Sequence, residues 1–139
     1  RRDPESLTKS MVEEVLRYDG PSKMEVRTIS DDITMRGKTL RKGDMAYLVQ
    51  HAANRDPEHF EEPDIFDIER EPNHHIGFGF GIHFCLGAAL ARLEGSIALE
   101  RLLTCYPDLS ADGEDPHWIP TMLSRGMESF PVSLGEARV

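Results

Sequence analysis

Cysteine is scarce: the 139 residues hold only Cys85 and Cys105. Two thiols are too few for a disulfide framework, so the fold must rest on burial and hydrogen bonding, and a reducing, cytoplasmic setting is expected. Long apolar runs are missing as well. No stretch approaches the roughly 20 residues needed to cross a bilayer, and no charged start leads into a signal-type apolar run, so no membrane partner is expected. Positive charge is in deficit, with 16 Lys and Arg against 25 Asp and Glu and a formal net charge of −9. Phosphate backbones are held by clustered cations, so nucleic acid is not an expected partner either. An initiating Met is also lacking, since the chain opens Arg1-Arg2-Asp3-Pro4. It is expected to be a piece of a longer protein. What is present, 39% hydrophobic and 29% charged residues, suits one modest globular domain with a core.

Apolar residues Leu7, Met11, Val12, Val15 and Leu16 recur at three- and four-residue spacing between Pro4 and Arg17. This predicts a helix that Pro4 opens and Gly20-Pro21 stops. Short apolar runs follow at Val26–Ile29, Ile33–Met35 and Met45–Val49, broken by Asp31-Asp32, Arg36-Gly37 and Lys42-Gly43, a texture of short strands and turns. Residues 51–84 are rich in Asn, Asp, Pro, His and Gly and carry no sustained period beyond one helical turn near His51–Asn54. An irregular stretch of that length inside a compact domain usually serves a site. A second helix is predicted over Leu86–Leu103, with Leu86, Leu90, Leu93 and Ile97 on one face, and Tyr106-Pro107 ends it. The tail offers weak strand signals at Met122–Leu123 and Phe130–Leu134 around a turn at Gly126. No repeat or low-complexity tract is present.

The chemistry concentrates in Phe78-Gly79-Phe80-Gly81-Ile82-His83-Phe84-Cys85-Leu86-Gly87, which runs straight into the alanine-rich helix. Glycines surrounding one cysteine suggest backbone that turns sharply and lies close to a flat ligand. Unpaired N–H groups at a helix entry stabilise an anion, so Cys85 is expected as a thiolate. A lone cysteine before a helix is more often a small buried side chain; the complete ten-residue pattern argues against that reading. The pattern resembles the haem-binding signature of the cytochromes P-450: Phe, two residues, Gly, three residues, Cys, one residue, Gly, filled here by Phe78, Gly81, Cys85 and Gly87.

The resemblance implies a haem-thiolate monooxygenase. Haem b is its cofactor, Cys85 the axial iron ligand whose sulfur favours O–O cleavage, and Phe78, Gly79, Gly81 and Gly87 its cofactor loop. His83 and Arg27 match the residues that hold a haem propionate. Glu14 and Arg17, three apart on the first helix, match an E-x-x-R pair closed by an arginine from a Pro-x-x-Phe-x-x-x-Arg segment, here Pro63, Phe66 and Arg70. Glu14, Arg17 and Arg70 are then a structural network, and no residue of this segment is itself catalytic. Ala52-Ala53-Asn54-Arg55-Asp56-Pro57 resembles a stretch of bacterial soluble members. Residues 1–139 would be the C-terminal haem-binding part of such a domain without its N-terminal portion, because the family's long distal helix and its acid-alcohol pair have no counterpart here. The expected fold class is an α+β fragment of a mainly-α fold: two main helices, small mixed sheets, a long irregular cysteine-ligand loop, and helix faces left exposed.

Implied partners are a ferredoxin-type electron donor, docking near the cysteine loop with Arg92 as one contact, and a small organic substrate. The segments Ser22–Glu25 and Gly126–Ser129, with Met24 and Met127, are expected near that substrate. Lys23 and Glu25 either hint at a polar group on it or face solvent. His74-His75 has none of the usual zinc spacings, and Cys105 is assigned no role. A haem-binding or sensing module and an inactive truncated remnant are the alternatives.

Overall fold

The computed structural model describes residues 4–137. Helix α1 spans Pro4–Asp19, a short α2 Gln50–Ala53, and α3 Ala88–Cys105. The first helix stops one residue before Gly20, as its sequence predicts. The third starts two residues later than expected, because Leu86 and Gly87 still belong to the preceding loop.

The strands form hairpins nested inside hairpins. β1 (Glu25–Thr28) pairs with β4 (Met45–Leu48) around the β2–β3 hairpin (Ile33–Met35 and Lys38–Leu40). The inner turn is Arg36-Gly37 with φ of 46° and 75°, the left-handed pair that matches the twist of a tight hairpin. The tail repeats the plan: β5 (Ser110–Ala111) pairs with β8 (Val132–Ser133) around β6 (His117–Trp118) and β7 (Met127–Ser129). All four pairings are antiparallel. This corrects the expectation of mixed sheets: β2–β3 and β6–β7 are inner pairs, β1–β4 and β5–β8 enclose them, and no strand among the described residues pairs parallel. Met122–Leu123 is not a strand. It lies in the β6–β7 loop, where the Leu123 carbonyl accepts the Lys23 N–H at 3.0 Å. Phe130-Pro131 is the β7–β8 turn, since proline has no N–H for a ladder.

α1 is buried on two sides. One side packs Val12 and Leu16 against α3, where a Cβ on Gly95 would stand 3.2 Å from Val12 Cγ2. Beside this contact the exposed Ala91 and Ala98 border an apolar groove with Val12, Val15 and Leu16. Leu90, Leu93 and Ile97, together with Leu86 in the loop, remain exposed.

The other side of α1 carries the densest burial. Among the described residues the largest fully buried side chains are Arg17, Glu14 and Asn54, while the buried apolar side chains are Val12, Leu16, Phe60 and Ala88. Each N–H of the Arg17 guanidinium has an acceptor. Nε and Nη2 fork onto Glu14 at 2.8 and 2.7 Å, Nη1 donates to the carbonyls of Asn54 and Pro63, and Nη2 also donates to that of Ile65. Glu14 in turn accepts the Asp67 N–H at 2.8 Å, Arg70 Nε at 3.3 Å and Asn73 Nδ2 at 3.1 Å. Phe60 packs on the guanidinium, 5.4 Å from ring centroid to Cζ. Arg70 adds bonds to the carbonyls of Glu61, Glu62 and Ile65. Residues 54–73 have no ladder of their own, and these two side chains of α1 supply it.

Burial works against the Glu14 carboxylate, but the Arg17 fork, the Asp67 N–H and Arg70 outweigh it and hold the carboxyl below its ordinary value. A depressed folded-state value makes this stability fully present above the unfolded glutamate value and lost as pH falls through the folded one. Arg17→Met, which strands a buried carboxylate, is expected to cost about 3–5 kcal/mol in denaturant unfolding. Arg17→Lys should recover little, having a point charge in place of the fork. In Glu14→Gln the acid-side loss of stability should be shallower than in wild type.

Candidate functional site

The cysteine loop leaves the irregular stretch at Ile76 and closes on itself through the backbone. Gly79 N–H donates to the Ile76 carbonyl, Cys85 N–H to the Phe78 carbonyl, both at 2.9 Å, and Phe84 N–H to Gly81 at 3.0 Å, with Gly81–His83 forming one 3₁₀ turn. Gly79 and Gly81 adopt φ of 75° and 73°, a left-handed region that side chains with a Cβ disfavour. The two turns reverse the chain twice within a few residues, and Cys85 comes out exposed beside them. The Cys85 carbonyl accepts the Ala88 N–H at 3.2 Å, which joins the loop to α3.

The loop has two contrasting sides. The half-buried Phe78 packs edge-on against the exposed Phe84 with centroids 6.3 Å apart. In front, Phe80, Ile82 and Leu86 are 88%, 98% and 103% exposed. Apolar side chains concentrated around an exposed cysteine are a surface made to be covered, and nothing lies within 4 Å of a Cβ placed on Gly81. A flat, largely apolar body with a thiolate-seeking metal fits this surface, and haem is such a body.

Arg27 and His83 stand on different elements. Arg27 stands on β1, paired with Glu25 and bonded to the Val26 carbonyl. Glu25 also accepts Gln50 Nε2 at 3.3 Å and lies 3.5 Å from a Cβ built on Gly79, so the Arg27 row borders the loop. His83 is exposed at the end of the 3₁₀ turn. The row through Glu25 and Gln50 was not legible from spacing, because it joins a strand, a short helix and a loop.

Segments 21–24 and 121–125 are tied together: Lys23 Nζ donates to the Thr121 carbonyl at 2.8 Å, Arg125 N–H to Pro21 at 2.8 Å, and Ser22 bridges Ser124. Arg125 pairs with Asp19 and lies 3.6 Å over the Trp118 ring. Met24 is half-buried beside this seam, and Met127 is exposed on β7. Lys23 and Glu25 thus both have partners within the protein, which removes the support for a polar substrate group read from their charges. His75 is likewise engaged, 2.9 Å from Glu13, and Arg92 forks onto the same carboxylate.

A cysteine carried on such a loop, with its apolar front and a buried Glu–Arg–Arg network behind, defines a haem-thiolate protein, and comparison with known proteins agrees. The cytochrome P450 family profile matches residues 6–126, and the chain belongs to that family. It is 48% identical over 139 residues to the polyketide biosynthesis cytochrome P-450 PksS of Bacillus subtilis, covering 98% of this chain and 34% of that one. The biotin biosynthesis cytochrome P-450 of the same organism is 45% identical over 132 residues, covering 95% and 33%. A solved structure of PksS superposes with a TM-score of 0.89 at 47% identity, covering 94% of this chain and 34% of that one. P-450BioI in complex with an acyl carrier protein ligated to hexadec-9Z-enoic acid gives 0.90 at 45% identity, with the same two coverages. The chain thus spans about a third of the length of the relatives it matches. Haem b is the cofactor of the family. No helix among the described residues is long and apolar enough to cross a membrane.

Gly81→Ala should cost about 1–2 kcal/mol in denaturant unfolding through backbone strain alone, since the added methyl meets no atom. A neutral result would mean that the loop does not need its left-handed turn.

Proposed function

We propose that this chain is the haem-binding part of a monooxygenase that oxidises a small organic substrate with O2 and two electrons. The observation that carries the reading is the exposed Cys85 set in an apolar surface on a backbone-closed loop. Cys85 would ligate the iron through Sγ. Phe78, Gly79, Gly81 and Gly87 shape the loop that lies against the ring, and the glycines allow that close approach. His83 and Arg27 suit the propionates, an imidazole N–H and a guanidinium fork being strong donors to carboxylates. Glu14, Arg17 and Arg70 hold the irregular stretch in place and touch no reacting atom.

Bound haem supplies the oxidation chemistry, and the protein supplies ligand, orientation and a water-poor surface. Met24 and Met127 are read as substrate-proximal, on segments that the Lys23–Thr121 and Arg125–Pro21 bonds tie together. Electrons would arrive from a ferredoxin-type donor, and the −9 charge and two unpaired cysteines suit a cytoplasmic setting.

The test is the absorption spectrum of the haem-loaded protein, reduced under carbon monoxide, for wild type and Cys85→Ser. A long-wavelength carbonyl band of the thiolate type, lost in the variant, is the expected result. Retention of that band in Cys85→Ser would overturn the assignment of the ligand.

A further inference from the structure

Glu14 is preceded by a second acid with a separate set of partners. Glu13 is turned about 100° around α1 from Glu14 and meets α3 and the residues that enter the cysteine loop. Arg92 of α3 donates to it from Nε at 2.6 Å and from Nη2 at 2.9 Å, two parallel bonds of the bidentate kind. His75 Nε2 lies 2.9 Å from the same carboxylate, while His75 Nδ1 accepts the Gly77 N–H at 3.0 Å. With Nδ1 accepting, the ring proton sits on Nε2 and is donated to Glu13. The His75 side chain is almost wholly buried.

These contacts converge on the root of the cysteine loop. The Arg92 guanidinium covers the Phe78 ring at 4.7 Å, and the Phe78 carbonyl holds the Cys85 N–H at 2.9 Å. His75 and Gly77 are the residues by which the chain enters the loop. One carboxylate therefore joins α1, α3 and the segment entering the loop, and reaches the cysteine through three contacts, Glu13–Arg92, Arg92–Phe78 and Phe78–Cys85. Burial acts against the Glu13 charge, but the Arg92 and His75 bonds outweigh it and keep the carboxyl below its ordinary value; the Glu13 bond in turn raises Arg92. Both partners stay ionised across the neutral range.

We infer that Glu13 and Arg92 are positioning residues for Cys85, setting how the sulfur is presented to the bound group through His75, Gly77 and Phe78. This rests on the haem-thiolate reading of the site. It also gives Arg92 a different role from redox-partner docking, since its fork is directed inward onto Glu13.

The experiment uses the full-length haem-loaded protein with Glu13→Gln, which keeps the size of the side chain, and Arg92→Lys, which keeps the charge without the fork. Asp64→Asn is the control, breaking the exposed Arg55–Asp64 pair away from the loop. Two readouts are taken: hydrogen exchange of the peptide covering 76–86, and the reduced carbonyl spectrum. Exchange at the loop about tenfold faster in both variants, together with partial conversion of the thiolate-type band to a shorter wavelength and no change in the control, is the expected result. Unchanged exchange and spectrum, with slower reduction by the electron donor in Arg92→Lys, would assign Arg92 to docking and overturn the inference. So would faster exchange spread evenly over α1, α3 and the loop, which marks a general packing pair. Persistence of the wild-type band in Cys85→Ser overturns the ligand assignment instead, and the loop exchange data separate that failure from this one.

Discussion

The bidentate Glu14–Arg17 pair is the interaction on which the rest of the structure depends. Residues 54–73 have almost no secondary structure, so their inward-facing carbonyls and N–H groups lack the partners that a helix or sheet provides. Buried backbone groups must nevertheless be paired. Arg17 takes the carbonyls of Asn54, Pro63 and Ile65, and Glu14 takes the N–H of Asp67. Burying two charges is costly unless every lone pair and proton finds a partner, and here the backbone of the irregular stretch provides those partners. The dependence is mutual: the loop segment needs the ions to be ordered, and the ions need the segment to be buried.

Neighbouring acids on one helix therefore organise two different regions. Glu14 faces the irregular stretch and Glu13 faces the cysteine loop, because successive helical residues point about 100° apart. α1 acts as the frame against which both are fixed, and it also packs Val12 against Gly95 of α3. The loop that results is restrained behind and open in front. Phe78 and the loop's backbone bonds anchor it, while Phe80, Ile82, Phe84 and Leu86 are exposed. A rigid root with an uncovered apolar front is the arrangement expected of a surface that positions a ligand against a planar cofactor, since orientation requires the first and close contact the second.

Much of this was legible from local pattern. α1, α3, the one-turn α2, the Arg36-Gly37 hairpin turn and the glycine-rich loop all follow from residue spacing or from the conformational demands of glycine. The strands of the tail were less legible. β5, β6 and β8 are two residues long, too short to show an alternation, and exist because a distant strand pairs with them. The Met122–Leu123 run has strand-like composition, but Lys23 and Ser22 take up its backbone as part of a loop. The leucine face of α3 stays exposed while Gly95 meets Val12 of α1; helix periodicity marks which residues share a face without saying which face finds a neighbour.

The sequence by itself determined the cysteine-loop motif and the positions of the two long helices, because each is written in one continuous run of residues, and the resemblance to a haem-thiolate family, because several such short motifs stand in order along the chain. Only the tertiary structure decided which charges meet. Glu13 pairs with an arginine 79 residues away and Arg17 reaches a carbonyl 48 residues away, distances over which spacing carries no geometric information. In the linear chain Arg92 reads as a contact for a redox partner, Lys23 and Glu25 as facing substrate or solvent, and His75 as part of a histidine pair without zinc spacing. Each is committed to a partner once the chain is folded, because a charge or ring nitrogen near a closed backbone is stabilised only by the particular donor or acceptor that folding brings beside it.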